Sequence, residues 1–491
     1  MHFPLRITWH KQLLWMVMLV LMGSVATAIL TGKLLFLLAP LLLLLLVAGI
    51  YYPQLLFFLL IFSIPFSAEI QVTALLGTDI PDEALMWLVS LIVLLMMLFR
   101  PPFVSGLFFQ HGLTGVLAVH MLWMVVCCIF SYQPLLSLKY FAAKTWYVLP
   151  FVLGSFLLLK NKKTIIATGL LLLAGITMVT VIVFIKHAVA GFSFDKVSEA
   201  TLPFFRNHVN YAAMLVCLVP VAVMALVYSK KHKGFLILLV VFMLTALFFS
   251  YSRGAWIALL AGLLTAAAVK WKVLKWLGII VAIITVVVFY NLARNNRYLD
   301  YRPDFYKTIY HEEFSQHIQA TYKMQDLSTA ERFYRWIAAF RMMEGHWFTG
   351  YGPNNFYHYY KPHTVTVFRT YVSDNREKST VHNYFLLLMT EQGLPGVLIF
   401  VVLLTAMFTK AQQLYHAITD KFYKSVCLVI ASVLGMITVL ISLSDLIETD
   451  KIGSLFFLCL GLLITMDLMN RNQKVQVSDA RLPDGQAPAA Q

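Results

Sequence analysis

The sequence predicts an all-α polytopic membrane protein with about 12–14 transmembrane helices and one long, partly helical loop on one side of the bilayer. Three observations carry this expectation. Of 491 residues, 60% are apolar and only 12% charged, with a mean hydropathy of +0.78, more hydrocarbon than a water-soluble domain of that size can hide. The apolar residues come in unbroken runs of about twenty, the length a helix needs to cross a hydrocarbon core of about 30 Å. The charges gather between the runs, and the segment 293–381 is polar.

In chain order, spans are expected near 12–30, 34–50, 54–66, 83–99, 112–131, 140–159, 164–187, 208–228, 234–251, 254–269, 274–292, 396–409, 424–443 and 453–469, the third short enough to be re-entrant. Alternation from an inward N-terminus puts 18 of the 38 basic residues in short inward loops and tails, and eight in the short outward ones. The remaining 12 lie in 293–381, which is too long to count toward orientation. Both termini are therefore expected in the cytoplasm, with the long loop outside. Ala26-Thr27-Ala28 has the form of a signal-peptidase site, but the charge alternation favours keeping the first helix. The chain divides into an N-terminal bundle (1–204), helices around an Arg253 hairpin (205–292), the outer loop (293–381), C-terminal helices (382–469) and a disordered tail (470–491) rich in Gln, Ala, Pro and Asp. All five cysteines fall inside apolar runs, so neither disulfides nor thiolate metal sites are expected.

The candidate chemistry lies on the outer side. His382-Asn383 is followed by nine residues and then by Gly393-Leu394-Pro395-Gly396. An imidazole that takes a proton near neutral pH is thereby set at a water–membrane boundary, where a solvated helix cap has the same look. The glycines and Pro395 should break the helix, leaving 383–392 tilted or interfacial, with Glu391 and Gln392 near headgroups and the true span starting at Gly396. In the outer loop, Ser328-Thr329-Ala330-Glu331 reads as a capping box. Phe333, Trp336, Ile337, Phe340 and Met343 then recur at helical spacing up to Gly345, which makes an amphipathic helix lying on something apolar. Arg332 shares the direction of Trp336, and Arg335 on a neighbouring azimuth competes for the same role; snorkelling explains either one as well.

Trp347 to Phe356 is glycine-rich and turn-prone, and the nine aromatics between Trp347 and Tyr371 make either a sugar platform or, more commonly at this depth, an anchor among headgroups. Arg253 stands in the tight turn Ser250-Tyr251-Ser252-Arg253-Gly254 and must sit at the outer surface, which is costly unless it is paired or working. Arg206 precedes another span entry, Asn207-His208, and Lys139 and Lys144 either add charge to the same mouth or anchor their helix. His311 and His317 are six apart, off the i, i+4 face of a zinc pair, and no Gly-rich phosphate cradle occurs. No metal, nucleotide or other cofactor is therefore expected, and no nucleic acid partner.

His-Asn, nine residues, Gly-x-x-Gly resembles the motif of bacterial O-antigen ligases and the related O-antigen polymerases. Ser252-Arg253-Gly254-Ala255-Trp256 resembles that family's outward hairpin, and Arg332 four residues before Trp336 fits its pattern. Trp347–Phe356 resembles its Pro-x-x-Gly-x-Gly-x-x-x-Phe segment, although Trp347 stands where the family often has Pro; Phe205 to Ala212 is a less specific match. The resemblance covers roughly residues 205 to 410. It implies a GT-C-like glycan transferase of the bacterial inner membrane with a periplasmic site. The donor would be a glycan on undecaprenyl pyrophosphate and the acceptor a sugar hydroxyl of lipid A-core or another glycan.

On that reading Arg253 and Arg332 hold the pyrophosphate, since arginine forks suit phosphate oxygens. His382 deprotonates or orients the acceptor hydroxyl, with Arg335, Asn383, Arg206 and Lys139 in support. Transfer would invert the anomeric carbon in one displacement, without metal. The nearest rivals are an O-antigen or exopolysaccharide polymerase and a protein O-oligosaccharyltransferase. A polysaccharide transporter or flippase is more distant, because it needs charged groups deep in the spans, whereas Lys, Arg, Asp and Glu here fall at span ends and His120 is the main mid-span exception.

Overall fold

The computed structural model describes residues 8–32, 36, 38–73, 76–99, 102–294, 327–364 and 380–479. His311, His317, Phe368 and Tyr371 lie outside the described residues, as do the side chains of the expected 328–331 cap and the end of the tail, 480–491. The protein is a helical bundle, and every expected span coincides with a helix. The first half holds α1 (Thr8–Thr31), α2 (Leu38–Tyr51), α3 (Pro53–Ser63), α4 (Asp82–Leu98), α5 (Pro102–Phe109), α6 (Gly112–Ile129), α7 (Pro134–Val148), α8 (Gly154–Leu158), α9 (Lys162–Val189) and the short α10 (Val197–Thr201). The second half holds α11 (His208–Tyr228), α12 (Lys233–Phe249), α13 (Arg253–Lys270), α14 (Leu274–Ala293), α15 (Leu327–Met342), α16 (Phe356–Tyr359), α17 (Tyr384–Ala417), α18 (Lys421–Leu443) and α19 (Asp450–Asp479). Among the described residues, eight helices are long and apolar enough to cross a membrane, and five more apolar helices are shorter. With that composition and those spans the chain is a multi-pass membrane protein.

Three features depart from expectation. Between α3 and α4 lies an antiparallel hairpin, β1 (Ala68–Thr73) and β2 (Leu76–Ile80), pairing Glu69 with Asp79 and Ile70 with Thr78. Its strands are too short to stand out beside the apolar runs that flank them. A π-helical stretch, Leu149–Leu153, joins α7 to α8, so one bent span starts at Pro134 rather than near 140. Finally, α19 continues to Asp479, past the point where a disordered tail was expected to begin at 470.

The core is set by close helix crossings. α13 lies along α18, and a Cβ on Gly262 would come within 2.5 Å of Met436, while one on Gly435 would run into Thr265. Small residues on both sides let the backbones touch, which is how helices associate where lipid offers no hydrophobic driving force. α11 and α19 run through the middle, with Ala212 to Leu218 and Leu455 to Leu460 almost wholly buried. The consequence for function is at the far end of α18: its last turn, Leu443, meets Gly254 at the start of α13, where Arg253 stands.

Candidate active site

The expected helix break occurs, and it is the foundation of the site. Gly393 has φ 68° and ψ −176°, a conformation essentially closed to other residues, and it splits α17 into Tyr384–Gln392 and the remainder. A break in mid-helix leaves carbonyls without their intrahelical donors. Here the glycine-rich loop supplies the donors: Tyr351 N–H donates to Thr390 O (2.9 Å) and Gly352 N–H to Glu391 O (2.9 Å). In return Leu394 N–H donates to Trp347 O at 2.8 Å. Trp123 Nε1 donates to the carbonyl of Gln392 at 2.9 Å. The two glycine motifs, some forty residues apart, are thus one interlocked unit.

Glu391 and Gln392 do not lie among headgroups; they are 5% and 0% exposed. The physical reason is that the loop folds over them. The Glu391 carboxylate accepts from Asn354 N–H (2.8 Å) and Phe356 N–H (3.0 Å) and so holds the start of α16. The loop aromatics are likewise neither a simple anchor nor a simple platform. Tyr351, Phe356 and Tyr360 form its core, Phe356 stacking on Tyr360, while Trp347 and Phe348 stay exposed and Phe348 packs edge-on to Trp123.

His382 stands just ahead of this unit with φ +54°, the left-handed region that costs a non-glycine residue on the order of 1–3 kcal/mol. Asn383 follows in extended backbone and anchors it twice. Its Oδ1 accepts from Leu386 N–H (3.1 Å) as an N-cap, and its Nδ2 donates to Ser442 O (2.9 Å) at the end of α18. The imidazole is partly buried, with Nδ1 3.9 Å from Asp445 Oδ1, and Asp445 in turn accepts from the Thr380 hydroxyl. Burial, then the positive charges of Arg335 and Arg332, pushes the His382 pKa down to about 3.

Both candidate arginines of α15 therefore lie near enough for their charge to bear on the same imidazole. Arg335 is the deeper, 3% exposed, while Arg332 is half-buried. The most buried side of α15 is Tyr334, Arg335, Ala338, Ala339 and Met342; of the expected stripe, Trp336 and Ile337 are half-buried against the core, while Phe340 is exposed. The alanines allow the helix to lie close, and Arg341 pins it by donating to Thr364 O at 3.0 Å. Arg253 reaches the same end of the bundle through the Gly254–Leu443 contact, and the turn before it is strained at Tyr251, φ +55°.

The other sequence candidates lie elsewhere or are otherwise engaged. Arg206 pairs with Glu69 of the hairpin at 2.7 Å, and Lys139 is exposed on α7. Lys144 is not an interfacial anchor; it is 5% exposed and bonded to Glu448 at 3.0 Å, with the Tyr140 hydroxyl on the same carboxylate. Lys451 and Asp450 are also buried and pair at 2.9 Å at the start of α19, and Asp82 is buried at the start of α4 with its carboxylate on the Ser67 hydroxyl, so these groups stand at helix starts. His120 is buried against Phe400. Sequence reasoning missed Asp445 as the neighbour of His382, because nothing in a short turn after a span says which distant residue it faces.

What the fold and this site define is a polytopic helical membrane protein whose outlying motifs meet at one mouth around an imidazole, two guanidinium groups and a carboxylate. The O-antigen ligase family model matches residues 238–401, from α12 through the Arg253 turn, α15 and the glycine loop to the break in α17. The match covers roughly a third of the chain. The match supports membrane glycan transfer of the ligase or polymerase kind. No curated protein matches the chain.

Proposed function

We propose that the protein transfers a glycan from undecaprenyl pyrophosphate to a sugar hydroxyl of lipid A-core, at the periplasmic face of the bacterial inner membrane. His382 carries the reading: a titratable ring on strained backbone, with Arg332 and Arg335 acting on it and a carboxylate at 3.9 Å. The acceptor hydroxyl gives its proton to the imidazole as its oxygen bonds to the anomeric carbon. The bond from that carbon to the pyrophosphate oxygen breaks, and its electron pair leaves on the lipid pyrophosphate. Arg253, Arg332 and Arg335 stabilise that growing charge by charge-assisted hydrogen bonds, and Asp445 orients the ring. Attack from the face opposite the leaving group inverts the centre.

The low pKa of the unliganded imidazole fits this scheme. At about 3 it is a weak base for neutral pH. A bound pyrophosphate offsets the guanidinium charges that help to depress it, so base strength arrives together with the donor. The test is transfer from a purified lipid-linked glycan to candidate acceptors at equal protein levels. His382→Ala should lose about 100-fold or more, and near wild-type transfer removes the base assignment. Product identity separates the ligase from its rivals: lipopolysaccharide, a longer lipid-linked polymer or a glycoprotein.

A further inference from the structure

The end of the bundle opposite His382 holds a cavity of about 720 Å³ between α9, α11, α12, α18 and α19. Lys162, Tyr228, His232 and Phe422 lie at its mouth, and Leu172, Cys217 and Val433 mark its depth. From Lys162 to Leu172 is ten residues of helix and from Phe422 to Val433 eleven, about 15 Å at 1.5 Å per residue. That is one leaflet of a hydrocarbon core about 30 Å thick.

The mouth is basic. The connections 160–163, 230–233 and 420–424 hold eight lysines and a single carboxylate, Asp420, which is occupied in accepting Phe422 N–H at 2.7 Å as an N-cap. Lys162 Nζ lies 4.7 Å from the Phe422 ring centre, and among the described residues no carboxylate pairs with it. Asn161 fixes the start of α9 with a capping box, and the Tyr228 hydroxyl ties α11 to Lys421 O at 2.7 Å, so the rim is built rather than open chain. An apolar slot one leaflet deep beneath a lysine-rich rim, with Lys162 at its mouth, is complementary to one kind of amphiphile.

We propose that this cavity binds an anionic phospholipid of the leaflet on that side, its phosphodiester at Lys162 and one acyl chain lying along Gly169 and Val221. The site is remote from the candidate active site and does not depend on the glycan-transfer reading. The full chain, purified in detergent, is offered equimolar phosphatidylglycerol and phosphatidylcholine, with a polyprenyl phosphate in a second arm, and bound lipid is read by native mass spectrometry.

Phosphatidylglycerol should be retained over phosphatidylcholine, about fivefold less so in Lys162→Gln, and undiminished in Lys162→Arg. Gly169→Leu, which places a side chain beside Val221 (Cβ contact 3.4 Å), should displace the acyl chain in protein with an unchanged melting temperature. Equal retention of the two phospholipids, or indifference to both Lys162→Gln and Gly169→Leu, overturns the proposal. So does displacement of phosphatidylglycerol by the polyprenyl phosphate.

Discussion

Gly393→Ala tests whether the glycine loop and the helix break are one unit. At φ 68°, ψ −176° an alanine costs on the order of 1–3 kcal/mol in backbone strain alone. Its Cβ would also enter the Phe348 carbonyl, so the loop must lift and release three backbone hydrogen bonds, each worth about 1 kcal/mol net. Those bonds are what holds the loop down in either protein, so the strain added to the docked state raises the population of the lifted loop by about 10- to 100-fold. The protein carries its own reporter. Cys127 is fully buried, with its Sγ 3.7 Å from Gln392 O behind the break, and the other four cysteines are buried thiols as well. Maleimide labelling followed by peptide mapping should therefore find Cys127 nearly inert in the wild type and reactive in Gly393→Ala. Gly115→Ala, where an added Cβ meets nothing within 4 Å, is the matched control. Labelling of Cys127 as slow in Gly393→Ala as in that control would refute the interlock.

Arg335→Ala should lower glycan transfer by about 100-fold, at least as much as Arg332→Ala, because Arg335 is the deeper of the two; a harmless Arg335→Ala would restrict the role to Arg332. With its pKa near 3, the His382 ring of the unliganded protein should show no NMR titration between about pH 5 and 8, and Arg335→Met should move its midpoint upward. Because the folded value lies below the ordinary one of 6.5, this group's contribution to stability is present above pH 6.5 and is lost as pH falls toward 3. A midpoint near 6.5 in the free protein would contradict the described surroundings. Lys144→Met or Glu448→Gln alone should destabilise the protein by about 3–5 kcal/mol, and the double variant by less, since each single change strands a buried partner; additive melting shifts would speak against a coupled pair.

The fold was legible because apolar runs and loop charges report directly on a bilayer. Every expected span coincides with a helix, and the break falls at Gly393, since glycine and proline act through their own backbone chemistry whatever surrounds them. What escaped depended on distant partners. The expectation for Glu391 weighed the cost of a carboxylate against depth, and could not see that two loop amides would meet it. Lys144 looked like an anchor because Glu448 is 304 positions away. The face of α15 is legible only in part: Trp336 and Ile337 do pack against the core, but the deepest contact is made by Ala338 and Ala339, which bring the helix close and turn Phe340 outward. Around His382, the sequence points to Arg332, Arg335 and Asn383 but also to Arg206 and Lys139, which lie elsewhere, and it does not tie Asp445 to the imidazole.

The glycine crossing of α13 and α18 determines how the mouth answers its surroundings. Arg253 opens one of these helices and Asp445 follows the other, and the rods between them are clamped by steric fit at Gly262 and Gly435. Their spacing is thus set by shape rather than by ions, so salt that screens the charges leaves the frame unmoved. Lengthening either rod by one residue would turn its tip by about 100° and dismantle the mouth, with every side chain still present.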